Sequence, residues 1–553
     1  MTVSWTWILI GAAAALIGGV AGSHLAPTPA PLHGDFAPFA HWVNANVGNA
    51  RACLLGMLAA AVVASTAGAL IKPRGVPAGQ EPYFGFALVA LVYLLLYDRL
   101  VCLGVVTGVI CLIYFLAISF RILAVALGGH QGERSEQLPE PAGGWPLYTV
   151  LVPLYKERNV ARNILVNLAQ LDYPTDRLDV KFLLEADDAE TLAALTTAGI
   201  PTWAEIVVVP LGQPKTKPRA CNHGLERARG SFLVIYDAED RPMPDQLKQA
   251  VCTFARADSR VACLQAQLAY HNHRQNALTR WFALEYNVWF RRYLGGMVRL
   301  GVPIPLGGTS NHFRTEVLRE LGGWDPFNVT EDCDLGVRLY MARHRTLTLD
   351  STTWEEANSR VGNWIRQRSR WLKGYLITHL VWSRRPIHLV ARLGPWGALG
   401  FFLSVFCVSS LAAFNLILWV VALVHATLIG MDLANGFGLW EVLTTHDPEK
   451  MRHSWQMMYS GRGEDPTLST MSQVFFAAAI CLLIGNLLFI LIAALAGRRP
   501  GQRGMWWAAL TSPVYWVLIS IGAWKGVWQL LVKPHFWEKT VHGLDEEHGA
   551  GKS

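Results

Sequence analysis

The chain has 553 residues, too many for one compact core and enough for a catalytic domain with membrane segments. Charged residues make up only 16% of it and hydrophobic residues 52%, whereas soluble domains usually carry about 25% charged residues. A net charge of +7 is too small to indicate a nucleic-acid partner, and the nine scattered cysteines, without a CxxC pair, argue against a zinc site.

Four apolar runs in residues 1–125 predict membrane-spanning helices, because a span needs about 20 apolar residues. They are Thr6–Gly22, Ala52–Ile71, Tyr83–Tyr97 and Leu100–Phe120. Basic residues stay on the cytosolic side of a membrane, and Lys72, Arg74 and Arg121 follow the second and fourth runs. We therefore expect an even number of crossings and a cytosolic central region.

The central region, residues 145–385, alternates short apolar runs with helical patterns. The runs that predict buried parallel strands are Thr149–Leu154, Val180–Leu184, Ile206–Pro210 and Phe232–Tyr236. Asn159–Leu171 and Pro218–Ala228 have helical patterns between them. This alternation predicts an α/β domain of the Rossmann-like type, with a parallel sheet, helices on both faces and ligands at the carboxyl ends of the strands.

A second membrane region is predicted over residues 393–533, followed by a short tail at 534–553. Leu393–Gly430 is long enough for a hairpin of two spans, and Met471–Ala496 and Met505–Trp524 are further candidates. If Leu393–Gly430 crosses twice, giving about four spans in this region, the arginines at 498, 499 and 503 lie outside. If it crosses once, they lie inside. The role of Asp432–Leu468 stays open.

The strongest chemical motif is Asp237-Ala238-Glu239-Asp240, which follows the strand FLVIY. Residues i and i+2 of an extended chain project to the same side, so Asp237 and Glu239 together suit one hard divalent cation. A solvated acidic loop is an equally good interpretation of this motif alone. Asp187-Asp188 ends another predicted strand, where it suits a turn and a helix N-cap as well as a ligand site.

Basic and acidic groups further along the chain suit a diphosphate and a general base. Lys217 precedes a helix, and cations at a helix N-terminus favour phosphate. Thr330-Glu331-Asp332 offers a carboxylate as a base, or only a helix cap. Gln367–Trp371, QRSRW, combines Arg forks with a Trp face on a predicted boundary helix, where interface anchoring is the simpler interpretation.

In this order, the four motifs resemble those of the membrane-embedded family 2 glycosyltransferases, the group of the bacterial cellulose, chitin and hyaluronan synthases. The resemblance covers about Pro146 to Tyr375, flanked by spans as in that family. Pro305–Arg314, PLGGTSNHFR, is similar to a bacterial exopolysaccharide subgroup. The resemblance implies a cytosolic GT-A domain between transmembrane segments.

The resemblance also implies roles for individual residues. The nucleotide-sugar site would comprise Tyr155, Glu157, Asp187, Asp188, Lys217, Gln367, Arg368 and Arg370. Mg²⁺ or Mn²⁺ would be bound by Asp237 with Glu239 or Asp240, where Glu239 departs from the usual Asp. Asp332 would be the general base, beside Thr330 and Glu331 of its motif. The acceptor site would comprise Gly308, Thr309, Ser310 and Trp371.

The function implied by the resemblance is inverting, metal-dependent polymerisation of a sugar into a β-linked polysaccharide, with translocation across the bacterial inner membrane. UDP-glucose is the first expected donor and UDP-N-acetylglucosamine the second; the growing polysaccharide, the bilayer and accessory secretion subunits are the other expected partners. A non-processive transferase acting on a lipid-linked acceptor would share the fold and the metal site. A transporter would explain the spans but not four ordered catalytic motifs.

Overall fold

The computed structural model describes residues 99–129, 139–158, 161–438, 482–533 and 538. The chain divides into two compact units. The larger comprises Ile110–Leu439, Phe476–Gln529 and His535–Ser553, and it contains all four motifs. Of the smaller unit, which comprises Met1–Val109, Trp440–Phe475 and Leu530–Pro534, only residues 99–109 and 530–533 are described.

A mixed sheet of eight strands forms the centre of the described part of the larger unit, in the order β3-β2-β1-β4-β7-β6-β8-β5. The strands are β1 (Tyr148–Leu154), β2 (Leu178–Glu185), β3 (Ala204–Val209), β4 (Phe232–Ile235), β5 (Arg241–Pro242), β6 (Val261–Tyr270), β7 (Asn311–Arg314) and β8 (Arg345–Glu355). The first four are mutually parallel, as the sequence predicts.

The predicted all-parallel sheet needs one correction, because β7 pairs antiparallel with both β4 and β6, and β5 pairs antiparallel with β8. The short polar sequence of β7, NHFR, does not have the apolar pattern of a buried strand, so sequence reasoning missed it. Its insertion matters for the site, since it places the preceding glycine-rich turn against the end of β4.

Alternation along β1 explains why both faces of the sheet are covered. Tyr148, Val150 and Val152 are buried in one hydrophobic core, and Leu151 is buried in the other. Successive side chains of a strand point to opposite faces, so a continuous apolar run is stable only when both faces are packed.

Helices pack on this sheet and extend beyond it. They are α1 (Arg99–Leu127), α2 (Ala161–Leu168), α3 (Ala189–Ala198), α4 (Lys217–Arg227), α5 (Gln246–Arg256), α6 (Ala277–Val288), α7 (Leu294–Leu300), α8 (Thr315–Glu320), α9 (Glu331–Met341), α10 (Val361–Trp382), α11 (Pro386–Phe401), α12 (Cys407–Ala434), α13 (Leu482–Ala496), α14 (Met505–Leu510) and α15 (Ser512–Val532). Short π-helical turns, Trp289–Tyr293 and Phe402–Phe406, continue α6 and α11.

Three helical stretches in the described ranges are long and apolar enough to cross a membrane: Gly108–Leu127, Pro386–Ala434 and Ser512–Val532. The second corrects the predicted hairpin of two spans, because the chain stays helical from Pro386 to Ala434 with one kink at Gly394. The first three predicted spans and residues 439–481 lie outside the described residues, as does the tail except Glu538.

The arginine-containing loop between α13 and α14 lies against the catalytic region. Asn287 donates hydrogen bonds to the Gly497 carbonyl at 3.0 Å and to Gln502 Oε1 at 2.6 Å. Arg291 donates to the Arg498 carbonyl at 2.5 Å. This loop therefore packs on the helix that carries Asn287 and on the turn that follows it.

Candidate active site

A cavity of about 450 Å³ opens at the carboxyl ends of the parallel strands. Tyr155 follows β1, Glu185 ends β2 and Asp237 follows β4, and all three line this cavity. The strand order changes direction between β1 and β4, and ligands of open α/β sheets bind outside the strand ends at such a switch point.

Four of the predicted site residues meet at the glycine-rich turn before β7. Lys217 Nζ forms an ion pair with Asp237 and donates a hydrogen bond to the Gly308 carbonyl at 2.7 Å. A Cβ atom at Gly308 would lie 3.5 Å from Asp332 Oδ2 and 3.9 Å from Lys217 Nζ. The absence of a side chain at Gly308 therefore keeps the space between the lysine and the Asp332 carboxylate open.

Burial sets the charge states in this cluster. Burial alone would lower the pKa of Lys217, but Asp237 and Glu331 raise it above its usual value, so the ammonium stays charged. Burial raises the pKa of Asp332 to about 6, although the Cys333 N–H and Lys217 favour its ionised form. Burial, and then Asp332, raise the pKa of Glu331. Asp332 therefore titrates near neutrality, as a general base requires.

Two carboxylates, Asp237 and Glu239, line the cavity where a divalent cation is predicted. Within the described ranges, no three His, Cys, Asp or Glu side chains form a ready-made metal site. This donor set still fits magnesium or manganese, because Mg²⁺ is usually held by one or two carboxylates together with substrate phosphates and water.

Asp240, the predicted alternative metal ligand, is turned away from the cavity. Its Oδ2 accepts hydrogen bonds from the Asp237 N–H at 2.8 Å and from the Thr309 hydroxyl. Burial raises the pKa of its carboxyl group well above the usual value. Asp240 thus holds the turn after β4 against the turn before β7. Of the acids in this motif, Asp237 and Glu239 are therefore the two that line the cavity.

The two acids after β2 have different surroundings. Asp187 pairs with Lys215 at 2.5 Å, and Lys215 Nζ lies 5.2 Å from the centre of the Tyr155 ring. The bond from Lys215 lowers the pKa of Asp187. Asp188 caps α3 by accepting the Thr191 N–H at 3.2 Å and also accepts the Lys156 N–H, so the structure gives it the capping role.

The predicted catalytic motif begins α9. Thr330 occupies the N-cap position without a side-chain capping bond, and its N–H donates to Asn328 at 3.1 Å. A Cβ atom at Gly374 would lie 2.4 Å from the Thr330 side chain, so the absence of a side chain there lets α10 pack directly on the motif. This contact brings Glu331 and Asp332 into the same cavity as the QRSRW residues.

Helix α10 supplies Gln367, Arg368, Arg370 and Trp371 to the cavity lining. Arg368, predicted to face the diphosphate, instead donates to both oxygens of Glu285, at 3.0 and 2.6 Å, and to the Tyr515 hydroxyl at 2.9 Å. Burial lowers the pKa of Arg370, and Glu331 and Asp237 counteract this effect. In this motif, Arg370 is therefore the basic residue that interacts electrostatically with Glu331 and Asp237.

Most of the predicted site residues are brought together. Those that line the cavity are Tyr155, Glu157, Lys217, Asp237, Glu239, Gly308, Thr309, Thr330, Glu331, Asp332, Gln367, Arg368, Arg370 and Trp371. Asp187, Asp188, Asp240 and Ser310 are not part of its lining. Ser310 is fully buried and its hydroxyl donates to Thr353 Oγ1 at 2.7 Å, so it stabilises the sheet rather than an acceptor.

Sequence reasoning missed Glu355 and Glu285. Glu355 ends β8 and lines the cavity; burial raises the pKa of its carboxyl group, and Asp240 and Glu239 raise it further. A signal was available for Glu355, since it follows the run TLTLDSTTW and ends a strand at the edge where the other acids lie. Glu285 lies mid-helix and lines the cavity, and its contacts with Arg368 and Tyr515 come from distant parts of the sequence.

Comparison with known proteins agrees with this geometry. Residues 146–374, which contain all four motifs, match the family model described as "Glycosyltransferase like family 2". The central region is a family 2 glycosyltransferase domain. Its mixed, Rossmann-like sheet is the GT-A fold, so the predicted fold class is confirmed.

Relatives of this glycosyltransferase domain include enzymes with different products. A probable glycosyltransferase, YdaM, of Bacillus subtilis is 26% identical over 233 residues, 41% of this chain and 55% of the relative. A beta-monoglucosyldiacylglycerol synthase of Trichormus variabilis is 24% identical, over 51% of this chain and 60% of the relative. A probable glucomannan 4-beta-mannosyltransferase of Oryza sativa is 27% identical, over 42% of this chain and 41% of the relative.

The chain thus spans between about two fifths and three fifths of the length of these curated relatives. Among solved structures, the mannosyltransferase PcManGT from Pyrobaculum calidifontis, in complex with GDP-Man and Mn²⁺, is similar with a TM-score of 0.43 and 20% identity. That similarity covers 69% of this chain and 99% of the other.

Proposed function

We propose that this protein is a membrane hexosyltransferase that transfers sugar from a nucleoside diphosphate donor with inversion at the anomeric carbon. This proposal rests on one observation: Lys217, Asp237 and Asp332 lie around the open space at Gly308. A cation, a carboxylate that would bind a metal ion and a carboxylate that would act as general base thus lie around one space, and these are the groups that sugar transfer from a diphosphate needs.

The proposed reaction is a single displacement. The acceptor hydroxyl oxygen bonds to the anomeric carbon, the bond from that carbon to the diphosphate oxygen breaks, and the hydroxyl proton goes to the Asp332 carboxylate. Lys217 and Arg370 offset the negative charge that develops on the departing nucleoside diphosphate. Asp237 and Glu239 would hold Mg²⁺ or Mn²⁺, which supplies further charge stabilisation when bound.

The nucleoside part of the donor would contact the residues that follow β1. Tyr155, whose ring lies 5.2 Å from Lys215 Nζ, and Glu157 line the cavity and would bind the nucleoside, with Asp187 orienting Lys215. The donor we expect first is UDP-glucose, followed by UDP-N-acetylglucosamine. Gly308, Thr309 and Trp371 would contact the acceptor.

The product we propose first is a β-linked polysaccharide that is extended processively and moved across a bacterial inner membrane. Trp371 on α10 supports this proposal because its ring lines the cavity and stacks near Tyr286, with the ring centres 6.3 Å apart, which provides a flat surface for a sugar. Candidate spans before and after the domain support a membrane location. The relative named as a glucomannan mannosyltransferase points to a polymer product.

A non-processive glycolipid synthase is the second candidate function. It is favoured by the relative named as a beta-monoglucosyldiacylglycerol synthase, which matches over more of this chain, 51%, than the glucomannan enzyme does. The fold and the donor site would be the same, and only the acceptor would differ.

Incorporation of radiolabel from single nucleoside diphosphate sugars, beginning with UDP-sugars, by the purified, detergent-solubilised protein tests these proposals. The assay would contain Mg²⁺ or Mn²⁺, with and without added diacylglycerol, followed by sizing and linkage-specific digestion of the product. Long polymer from one donor, lost on chelation, supports the polysaccharide synthase; one added sugar on lipid supports the second candidate. Absence of transfer from every nucleoside diphosphate sugar, to either acceptor, would contradict the proposed transferase activity.

A further inference from the structure

Glu355 is an acid in the cavity that the proposed reaction does not use. It is the last residue of β8, paired in register with Tyr270 at the end of β6, and the His271 N–H donates to its carbonyl at 3.1 Å. The backbone of Glu355 is therefore fixed by the sheet, and its half-buried side chain lines the cavity together with Asp237, Glu239 and Gly308.

The carboxylate of Glu355 lacks a full set of hydrogen bonds within the protein. Its Oε1 is buried and has no hydrogen-bond donor among the described residues. Nearly all buried polar atoms in folded proteins have a partner, so such an atom beside a ligand cavity indicates a partner that arrives with the ligand. Gln367, on the α10 wall, also has its Oε1 buried without a partner in the described part of the chain.

The chemistry of these atoms selects the part of the substrate that they contact. Neutral or ionised, a carboxyl group keeps an oxygen that accepts a hydrogen bond, and a diphosphate, which offers only acceptor oxygens, cannot supply that bond. The cavity already has Lys217 and Arg370 for a diphosphate. Sugar hydroxyl groups donate hydrogen bonds, and Trp371 follows Gln367 at i+4 on the same face of α10, where its ring can stack on the same sugar.

We infer that Glu355 is a specificity-determining residue that accepts a hydrogen bond from a ring hydroxyl of the hexose in the cavity, beside the Gln367 amide and the Trp371 ring. This inference rests on the proposed sugar transfer and adds the hydroxyl contact to it. The hexose is either the one that is transferred or the terminal sugar of the acceptor. Removal of the contacted hydroxyl should lower kcat/KM by about 10- to 100-fold, because the buried acceptor is then left without a donor.

A double-mutant cycle between protein and sugar tests the inference. The wild-type protein and Glu355→Ala are each assayed with a series of deoxy donors and, separately, with deoxy acceptors. The inference predicts one hydroxyl whose loss costs about 10- to 100-fold in the wild type but less than about threefold in Glu355→Ala. A response in the donor series identifies the transferred hexose, and a response in the acceptor series identifies the terminal sugar.

Two controls separate this contact from a general loss of structure. Binding of UDP, which has no hexose, should be unchanged in Glu355→Ala and in Glu356→Ala, its neighbour outside the cavity lining. Glu355→Gln, which keeps the side-chain shape and an acceptor oxygen, should recover part of the activity if the alanine variant is unstable. Its cycle should show a weaker coupling to the same hydroxyl.

Two results would overturn the inference while the proposed transferase activity stands. One is a wild type that transfers sugar but shows no coupling between Glu355 and any hydroxyl. The other is an increase in the Mg²⁺ or Mn²⁺ concentration needed for half-maximal rate in Glu355→Gln without hydroxyl coupling, which would make Glu355 a metal ligand. A wild type without transfer from any donor would instead contradict the proposed function itself.

Discussion

Lys217 and Arg368 are basic residues that line the same cavity and pair with an acid, with side chains 17% and 8% exposed, yet their surroundings differ. Lys217 pairs with Asp237 beside the open space at Gly308. Arg368 is held by both oxygens of Glu285 and by Tyr515, with its guanidinium carbon 5.0 Å from the centres of the Trp364 and Trp371 rings. A basic residue in a cavity acts on a substrate only when its donors are not all directed at the protein.

This difference assigns separate roles to the two pairs. The Lys217 pair would act in sugar transfer, whereas the Arg368 pair joins α10 to α6 and to α15, one of the three candidate spans. Arg368 would then hold the Trp371 ring and the span in a fixed relation to the site. Substitutions at either pair test this division of roles.

Asp332→Asn should have the largest effect on transfer. The substitution removes the proposed base beside Gly308, and loss of a general base typically lowers the rate by about 10²- to 10⁴-fold. Binding of UDP, measured by calorimetry, should stay near the wild-type value because the carboxamide keeps the shape of the side chain. Near-normal kcat in this variant would remove Asp332 from the reaction.

Lys217→Met should lower transfer by about 10²- to 10³-fold, the usual cost of losing one charge-stabilising donor. Its melting temperature in detergent should change little, since Asp237 is one-third exposed and can be solvated. Steady-state kinetics and thermal unfolding of the same preparation measure both quantities. A variant that unfolds readily but keeps its kcat would place Lys217 on the structural side of the comparison.

Arg368→Met should show the opposite pattern. It leaves the Glu285 carboxylate, whose side chain is 23% exposed, without its cation. Removing one partner of a fully buried pair typically costs about 3–5 kcal/mol of unfolding free energy, so we expect a loss below that range. The double variant Arg368→Met/Glu285→Met should recover part of this loss, because no unpaired charge remains. A stable Arg368→Met protein that has lost donor binding would restore the diphosphate role predicted from the sequence.

The pH dependence of kcat/KM sharpens the assignment of the base. Asp332 accepts a proton only when ionised, and its pKa is raised to about 6, so activity should be highest above this value. Below it, the protonated fraction grows and kcat/KM should fall about tenfold per pH unit. The residual activity of Asp332→Asn should lack this acidic limb. An unchanged limb in that variant would assign the titration to another group.

Asp187→Asn should have the smallest effect. Its side chain is 41% exposed and acts through Lys215, and exposed ion pairs contribute little in water. We expect KM for the nucleotide sugar to rise by less than about fivefold, with kcat unchanged. A large decrease in kcat would show that Asp187 contacts the reacting groups directly.

Strands β1 to β4 and the order of the motifs were predictable because both depend on local patterns, whereas β5 to β8 were not predicted. Buried runs such as Phe232–Ile235 end in acids, and the carboxyl ends of parallel strands meet at one edge. The partners of Arg368 were not predictable, since Glu285 lies 83 residues away and Tyr515 lies 147 residues away in the sequence. Their contact depends on how α6, α10 and α15 pack.

Contacts that local patterns do not show also explain why some acids assigned to the site lie outside the cavity. Asp188 and Asp240 occur in acidic clusters, and composition does not show which member of a cluster turns inward to cap a backbone group. The predicted hairpin between Leu393 and Gly430 was wrong because it rested on the length of the apolar run. Length alone allowed two spans, but the sequence from Cys407 to Ala434 contains no proline and remains one helix.

The most direct test of the donor site is a structure of the protein with UDP and Mn²⁺, in which anomalous scattering locates the metal. We predict one strong peak within coordination distance of Asp237 and Glu239, with the diphosphate facing Lys217 and Arg370 and with Arg368 still bound to Glu285. A diphosphate held by Arg368, or a metal peak away from Asp237, would contradict the division of roles proposed for this cavity.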